Sequence, residues 1–244
     1  MKHRKRLAAC LLTAALTVST LCTGAFAWNT PTKVAHRFAD VSSSDWFCDA
    51  VQTAFDKGYM SGTSNTTFVP RGVTTRAAFV QTLYAKAGSP SVSSANPFHD
   101  VKSGDWYYSA VLWASQNGIT NGTSATTFSP NANVTREQLA VFLYADAGKP
   151  HTTGSLSDFA DSSRVDSWAL PAMRWAVQNG VISGSTSNGK RYLKPLDNAT
   201  RAETATMLVY YTGGIQTKPA AISPTGFCYD DVTDYSGAAY TVVN

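Results

Sequence analysis

Three arginines stand where a helix should least want a cation. Arg76 in "TTRAAF", Arg136 in "VTREQL" and Arg201 in "TRAETATML" each follow a threonine that opens an apolar, helically spaced run. Such a threonine is an N-cap. Glu203 or Gln138 three residues on completes a capping box, which Ala78 in the first copy does not. A cation in the first turn faces unpaired N–H groups and the positive end of the helix dipole, at a cost of roughly 0.3–1 kcal/mol. Anion binding is the chemistry that would justify it. A helix N-terminus attracts anions, and a guanidinium adds a planar fork matched to a carboxylate. A hydrogen bond to a charged group is worth about 1.5–3 kcal/mol, which exceeds the dipole cost. The plain alternative is a surface arginine that bends away from the helix end or pairs with an aspartate. The missing box at Ala78 predicts a looser helix start there and a weaker pocket.

The same copies carry three further candidate sets. Asp40, Asp100 and Asp161 lie in aromatic-x-Asp openings, where they cap the first helix or fix the loop through backbone N–H groups, or else meet sugar hydroxyls. Trp46, Trp106 and Trp168 are core or interface aromatics on one reading and sugar-stacking platforms on the other. Gly62, Gly122 and Gly184 suit tight turns with positive φ, or loops whose backbone amides meet a ligand.

Catalysis has little support. The chain has no nucleophile elbow, His-Glu zinc pattern or phosphate loop. Its acids recur as repeats rather than as one unique pair of the kind glycoside hydrolysis needs. His36, His99 and His151 are scattered, so no metal site and no cofactor is expected.

Residues 1–27 have the form of a secretory signal peptide: the basic "MKHRKR", an apolar run, and the small-x-small site "AFA", with cleavage expected before Trp28. The apolar run is short for a retained membrane anchor. Four of the 20 Lys and Arg fall in this leader, leaving 16 against 16 Asp and Glu. The mature chain is therefore neutral and lacks the basic field that a nucleic-acid partner requires. Cys48 and Cys228 remain after cleavage, either as one disulfide closing a long loop or as two buried thiols.

The elements that position these residues form three copies of one unit. "FADVSSSDW", "FHDVKSGDW" and "FADSSRVDSW" begin at Phe38, Phe98 and Phe159, and each is followed by a proline (Pro70, Pro130, Pro195) and then the Thr-Arg helix start. The units span 35–88, 95–148 and 156–213. The third has one extra residue before its tryptophan. Each predicts helix, loop, helix, with Gly118 and Gly148 as C-caps and an amphipathic second helix. A unit of about 60 residues is marginal alone, so the three should pack together. The fold class is all-α, with irregular loops. Residues 214–244 combine a linker with "YDDV", which is an incomplete fourth repeat, a strand laid on the triplet, or the start of a further module.

Taken together, the aromatic-x-Asp-Val start, the Trp-bearing first helix, the glycine loop and the Thr-Arg-Ala-Glu helix resemble S-layer homology domains. The resemblance covers roughly Phe38 to Tyr211. It implies a pseudo-threefold helical assembly that binds secondary cell-wall polysaccharide non-covalently, commonly through pyruvylated sugars, and anchors proteins to Gram-positive-type envelopes. The expected protein is thus secreted, wall-bound and not an enzyme, with the candidate arginines, aspartates, glycines and tryptophans lining the glycan site. A structural S-layer component and a cell-wall hydrolase are the competing readings.

Overall fold

The computed structural model describes residues 37–213. The leader, the tail and Cys228 lie outside the described residues, and Cys48 is buried.

Each repeat supplies two helices. They are α1 (Cys48–Asp56) and α2 (Arg76–Lys86), α3 (Tyr108–Gln116) and α4 (Arg136–Asp146), and α5 (Leu170–Gln178) and α6 (Arg201–Tyr211). The pairing is offset by one repeat. α3 packs on α2 and α5 on α4, while α1 closes the circle on α6. No repeat buries its second helix on its own first helix, which is why a single copy has no complete core.

The second helices form the centre. α6 buries every residue from Ala202 to Val209, and α2 and α4 bury most of theirs. The expected amphipathic stripe is therefore replaced by helices that are covered on most sides, with small residues such as Ala77, Ala140 and Ala205 allowing close approach. Just before these helices the chain forms a three-way hydrogen-bonded ring. Val134 N–H donates to Thr74, Ala199 N–H to Val134 and Thr74 N–H to Ala199, each at 2.9 Å. At the other end the last residues of the same three helices meet. Lys86 pairs with Asp146 at 2.5 Å, and the Tyr211 hydroxyl donates to Asp146 at 2.6 Å. Burial pushes the Tyr211 phenol pKa up, and Asp146 adds to the effect.

Phe68, Phe128 and Leu193 end the inter-helix loops and are fully buried plugs. In the third copy that loop is not irregular. Ser185–Ser187 (β1) and Lys190–Tyr192 (β2) pair antiparallel across Asn188–Gly189, whose φ values of 50° and 72° make a tight turn. Gly118 and Gly148 end α3 and α4 in the left-handed region, as their positions predicted.

Candidate functional site

The predicted aspartates and arginines meet on one residue of each loop. Asp100 Oδ1 accepts from Phe128 N–H at 2.9 Å and Oδ2 from Ser129 N–H at 2.7 Å. Arg76, from the preceding repeat, donates through Nε to the carbonyl of the same Phe128 at 2.9 Å. Asp40 and Arg201 hold Phe68 in this way, and Asp161 and Arg136 hold Leu193. Neither Asp40, Asp100 nor Asp161 makes a side-chain cap bond to the helix that follows it. The three instead clamp Val69, Ser129 and Lys194, non-glycine residues at φ 52–59° that precede a proline. Burial alone would raise the Asp100 carboxyl, but the two N–H donors outweigh it and hold its pKa below the ordinary range.

The strained turn aims the next carbonyls at the neighbouring helix. Pro130 and Ala132 accept from Ala77 and Arg76 N–H, and Pro195 and Asp197 accept from Glu137 and Arg136. Pro70 and Gly72 accept from Ala202 and Arg201. Thr75, Thr135 and Thr200 take the N–H three residues further on. The first-turn amides are thus spent inside the protein, so the expected open helix N-terminus for an anion is absent at all three described starts. α2, without its box, is held by the same pair of neighbour carbonyls as the others.

The three guanidinium groups have different surroundings. Arg136 forms a buried ion pair with Glu203 Oε1, while Glu203 Oε2 completes the capping box on Thr200. The residue at the Glu203 position is Gln138 beside Arg76, and Ala78 in the first copy. Among the described residues, neither Arg76 nor Arg201 forms an ion pair. Arg201 adds a hydrogen bond from Nη2 to the Ser61 carbonyl at 2.7 Å and lies over the Phe68 ring. Arg76 lies over Phe128 and Phe142, and among the described residues no hydrogen-bond acceptor meets its terminal nitrogens. Burial lowers the pKa of both, opposed by Asp100 at Arg76 and Asp40 at Arg201.

The tryptophans diverge as well. Trp46 is 4 % exposed within the cluster that seals α1 against α6. Trp106 and Trp168 are 66 % and 53 % exposed, so the core reading fails for them. Both precede their helices rather than lying on them. Trp168 is steadied by its Nε1–H donating to Asp166 at 3.1 Å. The glycines sit above the opening aromatics. A Cβ on Gly122 would come within 2.6 Å of the Phe98 ring, and its φ of 78° is left-handed. Gly62 meets Phe38 in the same way without a positive φ, so there close approach is the requirement and not the turn.

A groove of about 450 Å³ joins parts of all three repeats. Arg76 comes from the first, the Gly118–Thr123 loop and the α4 face Gln138–Ala145 from the second, and Trp168 from the third, with Lys149 beyond α4. The corresponding positions around the ring are Arg201, Gly62 and Trp106, and then Arg136, Gly184 and Trp46. Two residues beside this groove escaped the sequence reading. Lys149 sits in what looks like a Ser/Pro linker. Glu137, 1 % exposed, accepts from Asp166 N–H at 3.1 Å where the other copies have Ala77 and Ala202. Burial raises the Glu137 pKa, and the nearby Asp166 carboxylate adds to this. Glu137 faces the repeat with the one-residue insertion, which is the signal that could have found it. No group of three metal-binding side chains occurs among the described residues. None of the described helices is long and apolar enough to cross a membrane.

Sequence comparisons agree with this architecture. A surface-layer 125 kDa protein of Lysinibacillus sphaericus is 40% identical over 157 residues, covering 64% of this chain and 13% of that protein. An endoglucanase of a Bacillus species is 31% identical over 180 residues, 71% of this chain and 18% of its own length. An amylopullulanase of Thermoanaerobacterium thermosulfurigenes is 28% identical over 176 residues, 70% of this chain and 9% of its own. The chain therefore spans less than a fifth of each of these relatives. The S-layer homology domain profile matches at residues 37–80, 97–140 and 158–205, the three units of the ring. With more than half its length matched in three tandem copies, the chain belongs to the S-layer homology domain family.

Proposed function

We propose that the chain binds an anionic, pyruvylated secondary cell-wall polysaccharide in the groove at Arg76, and thereby anchors itself to the envelope. Family membership carries the coarser part: S-layer homology repeats are cell-wall-binding, surface-anchoring modules. The finer part rests on one observation. Arg76 is fixed through Nε yet keeps its terminal nitrogens without a hydrogen-bond acceptor among the described residues, inside a groove beside an exposed indole. A bidentate carboxylate and a pyranose face are the chemical complements of that pair. Arg201 and the exposed Trp106 provide a second position. Arg136, neutralised by Glu203 beside a buried Trp46, is structural in this scheme. The three aspartates are loop clamps whose oxygens are already committed, and no residue is assigned a catalytic role.

Co-sedimentation with purified cell walls tests this. Arg76→Gln should weaken pelleting strongly and Arg201→Gln partially, with far-UV dichroism unchanged, and polymer-stripped walls should not pellet the protein. Equal pelleting with stripped walls would overturn the proposal. The surface-layer relative favours a second reading, a self-assembling lattice component. That reading predicts ordered sheets from purified protein in the absence of wall polymer.

A further inference from the structure

The groove at Arg76 is lined by a second cation, Lys149, which follows the wall that α4 contributes from Gln138 to Ala145. Lys149 is exposed, and among the described residues it has no ion-pair partner. Its backbone is fixed: φ is 53°, its N–H donates to Tyr144 at 2.9 Å, and the Tyr144 hydroxyl donates to the next carbonyl, that of Pro150, at 2.9 Å. The other copies have Ser89 and Gly214 at this position. The second cation is therefore particular to the Arg76 groove. It is not a repeated feature of the unit.

From this lining we infer that the Arg76 groove takes a glycan segment carrying two anionic groups, one held by Arg76 and the other by Lys149. The inference rests on the proposed glycan binding at Arg76. The group at Arg76 is a carboxylate, matched to the guanidinium fork, whereas the ammonium of Lys149 is a point charge that accepts a carboxylate or a phosphodiester equally. Val141, Phe142 and Ala145 give the groove a neutral floor that suits the apolar face of a sugar.

The test is calorimetric titration of the full chain with soluble polymer released enzymatically from purified walls. Three polymer preparations are compared: untreated, carboxyl-reduced, and treated with hydrofluoric acid to cleave phosphodiesters. Lys149→Gln should weaken binding of untreated polymer about tenfold, and Lys149→Arg should restore it. Arg76→Gln should lose most binding. If hydrofluoric acid treatment removes the difference between wild type and Lys149→Gln, the second anion is a phosphodiester; if the difference persists, it is a carboxylate. A Lys149→Gln protein that binds untreated polymer like wild type, while Arg76→Gln does not, would overturn the second subsite and leave the first intact. If wild type binds no untreated polymer, the glycan reading itself fails.

Discussion

A first-turn arginine ceases to be an electrostatic error once its surroundings are known. At each site two carbonyls from the neighbouring repeat already cap the helix end, and a third receives the arginine Nε. The cation thus sits among oxygens, which offsets the dipole penalty. The partners lie 52 to 133 residues away in sequence, so a local reading sees the cost without the compensation. The same limit hid the fate of Arg136. The copy with the most complete motif, "TRAE", provides Glu203 both to its own cap and to Arg136 in the repeat before it. Removing Arg136 would leave Glu203 buried without its ion-pair partner, so Arg136→Met should cost about 3–5 kcal/mol. Arg136→Met with Glu203→Gln should recover much of that in urea unfolding. Val69 offers the opposite test. It is a half-exposed β-branched residue at φ 58°. Val69→Gly should relieve strain worth about 1–2 kcal/mol, part of it returned as unfolded-chain entropy, and raise the urea midpoint.

At the scale of elements, the N-caps and the C-cap glycines were legible because each depends on neighbours within a few residues. The third-repeat hairpin was missed: the loops were expected to be irregular in all three copies, although "TSNGKR" carries an Asn-Gly turn. The environment of the tryptophans was not legible. Trp46, Trp106 and Trp168 hold one motif position, yet burial depends on what the adjoining repeat places opposite. Glu137 belongs to this scale as well, joining α4 to the lead-in of α5. Its pKa in the folded chain is raised above the unfolded value by burial, which outweighs the opposing Asp166 N–H donor and is reinforced by the Asp166 carboxylate. The folded state therefore holds that proton more tightly. The corresponding stability is present below the ordinary glutamate pKa and is lost as pH rises through the raised one. Glu137→Gln keeps an acceptor for Asp166 N–H and removes the titration. Its melting temperature should gain on wild type between about pH 4.5 and pH 7. A constant difference across that range would contradict the assignment.

At the largest scale, residues 37–213 form a closed ring whose seams lie between repeats rather than within them. Every inner helix takes its cap from the next repeat, and α1 completes α6. A chain ending before residue 156 would leave α4 without its cap carbonyls from Pro195 and Asp197, and α1 without its partner. It should lose cooperative unfolding altogether instead of melting with two thirds of the enthalpy, as scanning calorimetry would show. The ring is also unequal. The count of three repeats and an inequality among them were both read from the sequence, but the capping boxes put the weaker pocket at Arg76, whereas pairing across seams makes Arg136 the neutralised one. One arginine is neutralised, one is half-committed, and one opens into a groove with a second cation. The most direct measurement of the central claim is quantitative binding of wild type, Arg76→Gln and a conservatively neutralised Arg136→Met/Glu203→Gln protein to polymer-bearing walls. Arg76→Gln should lose binding while the folded double variant keeps it. Equal loss in both would contradict it, because all three arginines would then be equivalent receptors.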